Sequence, residues 1–125
     1  MRTPADVARL RELDAEGDLG HVMEAIRLVR RELQGKNVPL IGFAGAPFTL
    51  ASYVIEGGAS RNYIHTKLMM HAQPETWHAL MDKLAQSLTG YLLAQVRAGA
   101  QAVQLFDSWV GALSPQDYAC YVLPY

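Results

Sequence analysis

The sequence predicts an α/β protein: about two parallel strands with their helices, belonging to a larger sheet. Two compact apolar runs carry the first part of that reading. Val38-Pro39-Leu40-Ile41-Gly42-Phe43 and Ala102-Val103-Gln104-Leu105-Phe106 show no polar alternation, the pattern of strands buried on both faces in parallel sheets. Around them, apolar residues recur at three- and four-residue spacing, the helical period. Parallel neighbours need a crossover connection, and the helical stretch between the runs supplies one. Two parallel strands alone cannot cover their edges or enclose a core. Residues 1–125 therefore read as a segment of a larger α/β domain.

The first element is a short helix opened by Thr3-Pro4-Ala5-Asp6. Thr3 caps it, Pro4 suits the first helical position, and Asp6 sits where the dipole favours an acid. Val7 and Leu10 give it an apolar side, and Gly17 is expected to close the region. A second helix is predicted from about Leu19 to Leu33, with Val22, Ile26, Val29 and Leu33 on one face. Its other face carries Glu24, Arg27, Arg30 and Arg31, read as a solvated face, and Gly35 ends it.

After the first strand, Ala44-Gly45-Ala46-Pro47 leads into a helix containing Leu50, Ala51 and Val54, ended by Gly57-Gly58. Ser60 is expected to cap the next helix, through Ile64, Leu68 and Met69. Pro74-Glu75 opens the longest helix, reaching about Arg97, with Trp77, Leu80, Met81, Leu84, Leu88, Leu92 and Val96 along one side. Gly99 stops it before the second strand. Ser114-Pro115-Gln116-Asp117 starts one more helix with a cap, a proline and an acid.

Composition narrows the function classes. Half of the 125 residues are apolar and the net charge is −1, so nothing suggests a nucleic-acid partner, whose footprint would be a basic excess. No apolar stretch approaches the ~20 residues needed to span a bilayer, and the first residues have no signal-peptide core. A cytoplasmic protein is expected. The single cysteine, Cys120, fits a reducing compartment and is expected to be a buried structural thiol.

In parallel α/β folds, ligands gather beyond the carboxyl ends of the strands. That rule selects Gly42 to Tyr53 and Phe106 to Gly111. The glycine-rich turn after the first strand lacks both the Gly-Lys-Ser/Thr ending of a nucleotide loop and the third glycine of a dinucleotide fingerprint. Its small residues suit close packing of backbone against helix or ligand. Two readings are open at Tyr53: a phenol aimed into a pocket, or a ring packed at the surface. Ser108 is either a hydroxyl aimed at a ligand oxygen or an ordinary turn residue. Asp107 is either an acid or base at a strand end or a cap for the following turn. His65, His71 and His78 show no metal-ligand spacing, and no Gly-x-Ser-x-Gly elbow is present.

At these two loops the sequence becomes familiar. Pro39 to Leu50, reading PLIGFAGAPFTL, followed by Tyr53-Val54-Ile55-Glu56-Gly57-Gly58, resembles the long signature of the uroporphyrinogen decarboxylase family. Ala98 to Trp109, reading AGAQAVQLFDSW, resembles its second signature, and the Pro4-Ala5-Asp6-Val7 segment is similar to what precedes the first. Phe48 stands where many members have Trp. The resemblance covers almost the whole chain.

The resemblance implies a partial (β/α)₈ TIM barrel from a cytoplasmic, homodimeric carboxy-lyase of porphyrin and heme biosynthesis. Such an enzyme removes carbon dioxide from the four acetate arms of uroporphyrinogen III to give coproporphyrinogen III, with no metal or organic cofactor. Tyr53 matches the family's pocket tyrosine, Ser108 the hydroxyl residue that meets a substrate carboxylate, and Phe106 an apolar wall against the macrocycle. The family's aspartate and arginine loop fall upstream of residue 1 and its histidine downstream, so no catalytic residue is assigned here. Asp107 and Glu56 do not occupy the aspartate's position. The segment alone is expected to be inactive. The alternatives are a decarboxylase-like methyltransferase working with corrinoid or thiol partners, and a non-enzymatic helical interaction module.

Overall fold

The computed structural model describes all residues from Met1 to Tyr125. Helices α1 (Pro4–Arg9), α2 (Ala15–Asp18) and α3 (Gly20–Glu32) precede strand β1 (Ile41–Gly45). Helices α4 (Pro47–Glu56), α5 (Ile64–Ala72) and α6 (Pro74–Ala98) follow, then strand β2 (Ala102–Phe106), a short 3-10 turn at Val110–Ala112, and α7 (Pro115–Tyr121). The strands pair as one two-stranded parallel sheet. The chain divides into two compact units, with β1 and α6 each contributing to both.

The first unit comprises Met1–Glu12, Gly45–Gln86 and Asp107–Tyr125. Its entry is set locally: the Thr3 hydroxyl accepts from the Asp6 N–H while the Asp6 carboxylate accepts from the Thr3 N–H, a reciprocal cap. The Arg2 N–H and the Thr3 hydroxyl hold the Asp6 carboxyl far below the usual carboxylate range. Its core gathers Val7, Phe48, Ala51, Ile55, Met69, Met70, Trp77, Leu80, Met81 and Val122. Burying each large side chain contributes about 1.5–3 kcal/mol. The indole of Trp77 donates to the Tyr121 carbonyl at 2.9 Å, so its burial leaves no donor unpaired. The Lys83 ammonium satisfies three carbonyls at the end of α1, those of Val7, Ala8 and Leu10, at 2.6–3.1 Å.

The second unit comprises Leu13–Ala44 and Ser87–Phe106. Its small core holds Ala15, Met23, Ala94 and Ala98, with Val22, Ile26 and Tyr91 against it. The amide of Gln95, buried in the last third of α6, donates to the Phe43 carbonyl at 2.9 Å and accepts from the Phe43 N–H at 3.0 Å. Gly42 makes this possible, since a Cβ there would lie 2.6 Å from the Gln95 Oε1. Gly99 turns the chain out of α6 with φ +120°, and a Cβ on it would press on the Arg30 stem at 3.0 Å. The left-handed backbone is what favours glycine at this position.

Several expectations are corrected. Gly17 lies inside α2, its N–H on the Asp14 carboxylate at 3.1 Å, because Asp14 caps an extra turn. Val29 is exposed, and Met23 carries the buried face of α3. Ser60 accepts from the Tyr63 N–H at 3.0 Å and so closes the turn before α5, whose own cap position, Tyr63, is left-handed. On α6 the buried stripe passes from Trp77, Leu80 and Met81 to Ala94, Gln95 and Ala98, leaving Val96 exposed. Cys120 is exposed on α7, which buries none of its residues; the buried Val122 follows at its C-cap. Glu24 pairs with Arg27 at 3.4 Å and Arg31 at 3.6 Å along its own helix, as a solvated face does.

The strands correct the sequence most. Expected to be buried on both faces, they bury only Gly42 and Ala44, and β2 is exposed along its whole length. Ile41 is 59% exposed, Phe43 62% and Phe106 52%. The apolar character of these runs is therefore unmatched by any cover within the 125 residues. Exposed strand faces of this kind bind apolar dyes and blunt cooperative unfolding. The isolated chain is expected to enhance the fluorescence of anilinonaphthalene sulfonate and to melt over a broad range. A single sharp transition without dye binding would contradict this.

Candidate functional site

The carboxyl ends of β1 and β2 deliver two segments into the first unit. Pro47 opens α4 one residue after β1, with Ala46 extended at the cap position. This places Thr49 in the first turn of α4 and Tyr53 one turn further on, at the i, i+4 spacing that shares a helix face. After β2, Asp107, Ser108 and Trp109 form the loop before the 3-10 turn.

Thr49 joins the two segments. Its hydroxyl, on a residue only 5% exposed, donates to the Asp107 Oδ1 at 2.8 Å. The Thr49 hydroxyl oxygen in turn accepts from the Trp109 N–H at a longer 3.4 Å. Both neighbours of Ser108 are thereby held, while Ser108 itself stays exposed. Beneath, Ser52 donates to the Thr49 carbonyl at 2.7 Å, which satisfies a buried hydroxyl within α4.

An aromatic group surrounds the loop. The Tyr53 ring, 46% exposed, meets Trp109 edge to face with centroids 6.2 Å apart and planes at 87°. Tyr63 lies tilted at 36° on the same indole, also at 6.2 Å. Such contacts are worth about 0.5–1.5 kcal/mol each beyond burial. Tyr63 takes φ +51°, a left-handed conformation uncommon for an aromatic residue and held here by its burial.

The structure thus brings Tyr53 and the Ser108 loop together. Phe106, the last residue of the second unit, instead packs edge to face on Phe43 with centroids 6.0 Å apart. Asp107 spends a carboxylate oxygen on Thr49 and does not cap the following turn with its side chain. Thr49, Trp109 and Tyr63 were not singled out by the sequence. Thr49 was findable, being one turn before Tyr53, but its partners lie 58 and 60 residues away. No group of three or more His, Cys, Asp and Glu side chains stands close enough to share a metal ion.

Glu56 has a structural post. Its Oε1 accepts from both the N–H and the hydroxyl of Thr66 at 2.9 Å, in the first turn of α5. Arg2 secures the end of α4 beside it, donating to the carbonyls of Ile55 at 3.0 Å and Glu56 at 3.3 Å. Partial burial pushes the Glu56 carboxyl up, but the Thr66 N–H and hydroxyl outweigh it, with the His65 and Arg2 charges adding, and the pKa falls below normal.

A parallel strand pair whose carboxyl ends each lead straight into a loop or helix places the chain in the parallel α/β class. Comparison with known proteins narrows the class. The family Uroporphyrinogen decarboxylase (URO-D) matches residues 1–125. Over 125 residues the chain is 61% identical to the uroporphyrinogen decarboxylase of Carboxydothermus hydrogenoformans, 56% to that of Roseiflexus sp. and 58% to that of Alcanivorax borkumensis. Those matches take in all of this chain and 35%, 36% and 35% of the relatives. The chain belongs to the uroporphyrinogen decarboxylase family, a TIM-barrel family, and spans about a third of the length of the curated relatives it matches.

The Glu56 geometry predicts a pH dependence. A carboxyl with a folded pKa below its ordinary 4.5 stabilises α5 fully above that value and loses the contribution as pH falls through the lowered one. Amide-exchange protection at Thr66 should therefore hold down to about pH 5 and decline below 4.5. Glu56→Gln should remove that decline, as measured by hydrogen exchange, and its persistence in the variant would assign the effect to another group.

Proposed function

We propose that this chain forms part of the substrate site of an enzyme that converts uroporphyrinogen III to coproporphyrinogen III. The reaction removes four acetate carboxyl groups as carbon dioxide within porphyrin and heme biosynthesis. The observation that carries the reading is the whole-chain family match, which includes both segments following the strands. The relatives are named uroporphyrinogen decarboxylases. A homodimeric, cytoplasmic enzyme is part of the same reading. No helix here is long and apolar enough to cross a membrane.

The chemistry asks little of a cofactor, because the substrate supplies its own electron sink. Protonation of a pyrrole carbon makes a cationic system beside the acetate; loss of carbon dioxide returns the electron pair to the ring as an exocyclic methylene, which takes up a proton to become the methyl while the ring carbon releases its own. The protein's tasks are to hold many carboxylates in place and to stabilise the developing positive charge. Tyr53 and Ser108 suit the first task. Both residues are exposed, Tyr53 against the Trp109 ring next to Ser108, and the neighbours of Ser108 are held by Thr49. Phe106 supplies apolar surface for the face of a macrocycle, and its exposure leaves the ring free to do so. The resemblance puts the charge-stabilising carboxylate of the family upstream of residue 1, and Glu56 and Asp107, engaged with Thr66 and Thr49, are not given that role.

Two outcomes test the reading. The isolated chain should yield no porphyrinogen with fewer than eight carboxyl groups, scored by chromatography after oxidation, because it carries two strands of a fold that needs eight. In a full-length barrel carrying this segment, for example one exchanged into the Carboxydothermus relative over the matched residues, Tyr53→Phe should cost mainly turnover. The loss of a hydroxyl bonded to a charged group is about 1.5–3 kcal/mol, roughly ten- to more than a hundredfold in kcat/KM. Ser108→Ala should mainly raise KM, as one of several carboxylate contacts is lost. Wild-type kinetics for both at unchanged Tm would remove these residues from the site.

A further inference from the structure

We infer that Thr49 is a positioning residue for substrate binding, its hydroxyl setting the shape of the loop that presents Ser108. The inference rests on the reading of that loop as part of the substrate site. Thr49 is the one side chain that engages the residues on both sides of Ser108, donating to the Asp107 carboxylate at 2.8 Å and accepting the Trp109 N–H at 3.4 Å. A hydroxyl has one proton to donate and lone pairs to accept with. The arrangement fixes its polarity: the proton goes to the carboxylate, leaving a lone pair for the amide. Ser108 is thus suspended between two tethered neighbours and keeps its own hydroxyl free and exposed.

Three features make this more than a local contact. Thr49 is almost fully buried, so water does not compete for its hydroxyl. It stands on the first turn of α4, a rigid element whose next turn carries Tyr53. The Trp109 indole is also clasped by Tyr53 and Tyr63, so the loop is located by polar contact on one side and by aromatic contact on the other. A hydroxyl that must meet a substrate carboxylate loses rate or affinity when its support is loose by about 1 Å. Thr49 supplies that support without touching substrate.

The test uses the full-length barrel carrying this segment. Thr49→Val keeps the branched shape and removes the hydroxyl. It should raise KM about three- to tenfold, a fraction of a charged hydrogen bond's worth, with a smaller change in kcat. Thr49→Ser, which keeps the hydroxyl, should restore KM to within about twofold of wild type. Asp107→Ala should reproduce the Thr49→Val defect, and the two together should be no worse than either alone, as expected of partners in one contact. Asp107→Asn, which retains an oxygen to accept the Thr49 proton, should stay near wild type in kcat. If Thr49→Val folds poorly, the comparison of Thr49→Ser, Asp107→Asn and Asp107→Ala still decides. A wild-type KM in Thr49→Val, additive effects of the two substitutions, or a kcat collapse in Asp107→Asn would each overturn the inference. A silent Ser108→Ala beside a defective, serine-rescued Thr49→Val would overturn only the role given to Ser108 and would support Thr49 as the residue that shapes the loop.

Discussion

Phe43 offers an N–H and a C=O in the middle of β1, and both are taken by a single side chain, the buried amide of Gln95. In a parallel ladder, successive residues direct their backbone groups to opposite sides. Leu40 accepts from the Gln101 N–H at the start of the strand pair, so Phe43, of opposite parity, points away from β2. An unpaired buried amide group costs about 1–3 kcal/mol, and the Gln95 side chain meets that demand from a helix. Much else follows from this placement. Gly42 has to lack a side chain for Gln95 to approach. The Ala94, Gln95 and Ala98 face of α6 has to be narrow, and the chain has to leave α6 abruptly at Gly99 to enter β2.

The candidate-site segments follow directly on the carboxyl ends of the same strands. α4 begins one residue after β1, and the Asp107 to Trp109 loop begins at once after β2, so neither has slack. With so little chain between strand and loop, side-chain position is governed by a few contacts: one hydroxyl, one carboxylate and three aromatic rings. The division of labour among acidic residues has the same origin. Asp6, Glu56 and Asp107 each spend a carboxylate oxygen on hydrogen bonds within the first unit. They act as fasteners between helix ends and loops.

What the sequence made legible was short-range chemistry. The caps at Thr3 and Ser114 depend on residues within three positions, and both appear with the expected partners. The bounds of β2 and the glycine exit from α6 were equally readable, because apolar runs and turn residues are local signals. Long-range consequences were not. Ser60 closes a turn rather than capping α5, since Glu56, ten residues before Thr66, had already taken that helix's first-turn groups. Cys120 sits outside on α7, which buries none of its residues, and the inward contact is made by Val122 just after the helix. Tyr53 and Ser108 were selected by strand-end position and resemblance. Thr49 was hidden because its importance lies in partners more than fifty residues distant. The strand runs misled on burial for a different reason: an apolar run without alternation shows the character of a strand but not what covers it, and here nothing within these residues covers β2.

The two tryptophans give the chain a built-in optical contrast. Trp77 is sealed in the core, its indole N–H fixed to the Tyr121 carbonyl. Trp109 is partly open to water, bracketed by two tyrosines and tied through its backbone to Thr49. One fluorophore therefore emits from a dry, rigid setting and the other from the loop beside Ser108, with two phenols near enough to pass excitation to it. Replacing Trp77 by Phe would leave Trp109 as the only indole emitter, and its colour and anisotropy would report, without any added label, whether that loop is held or loose.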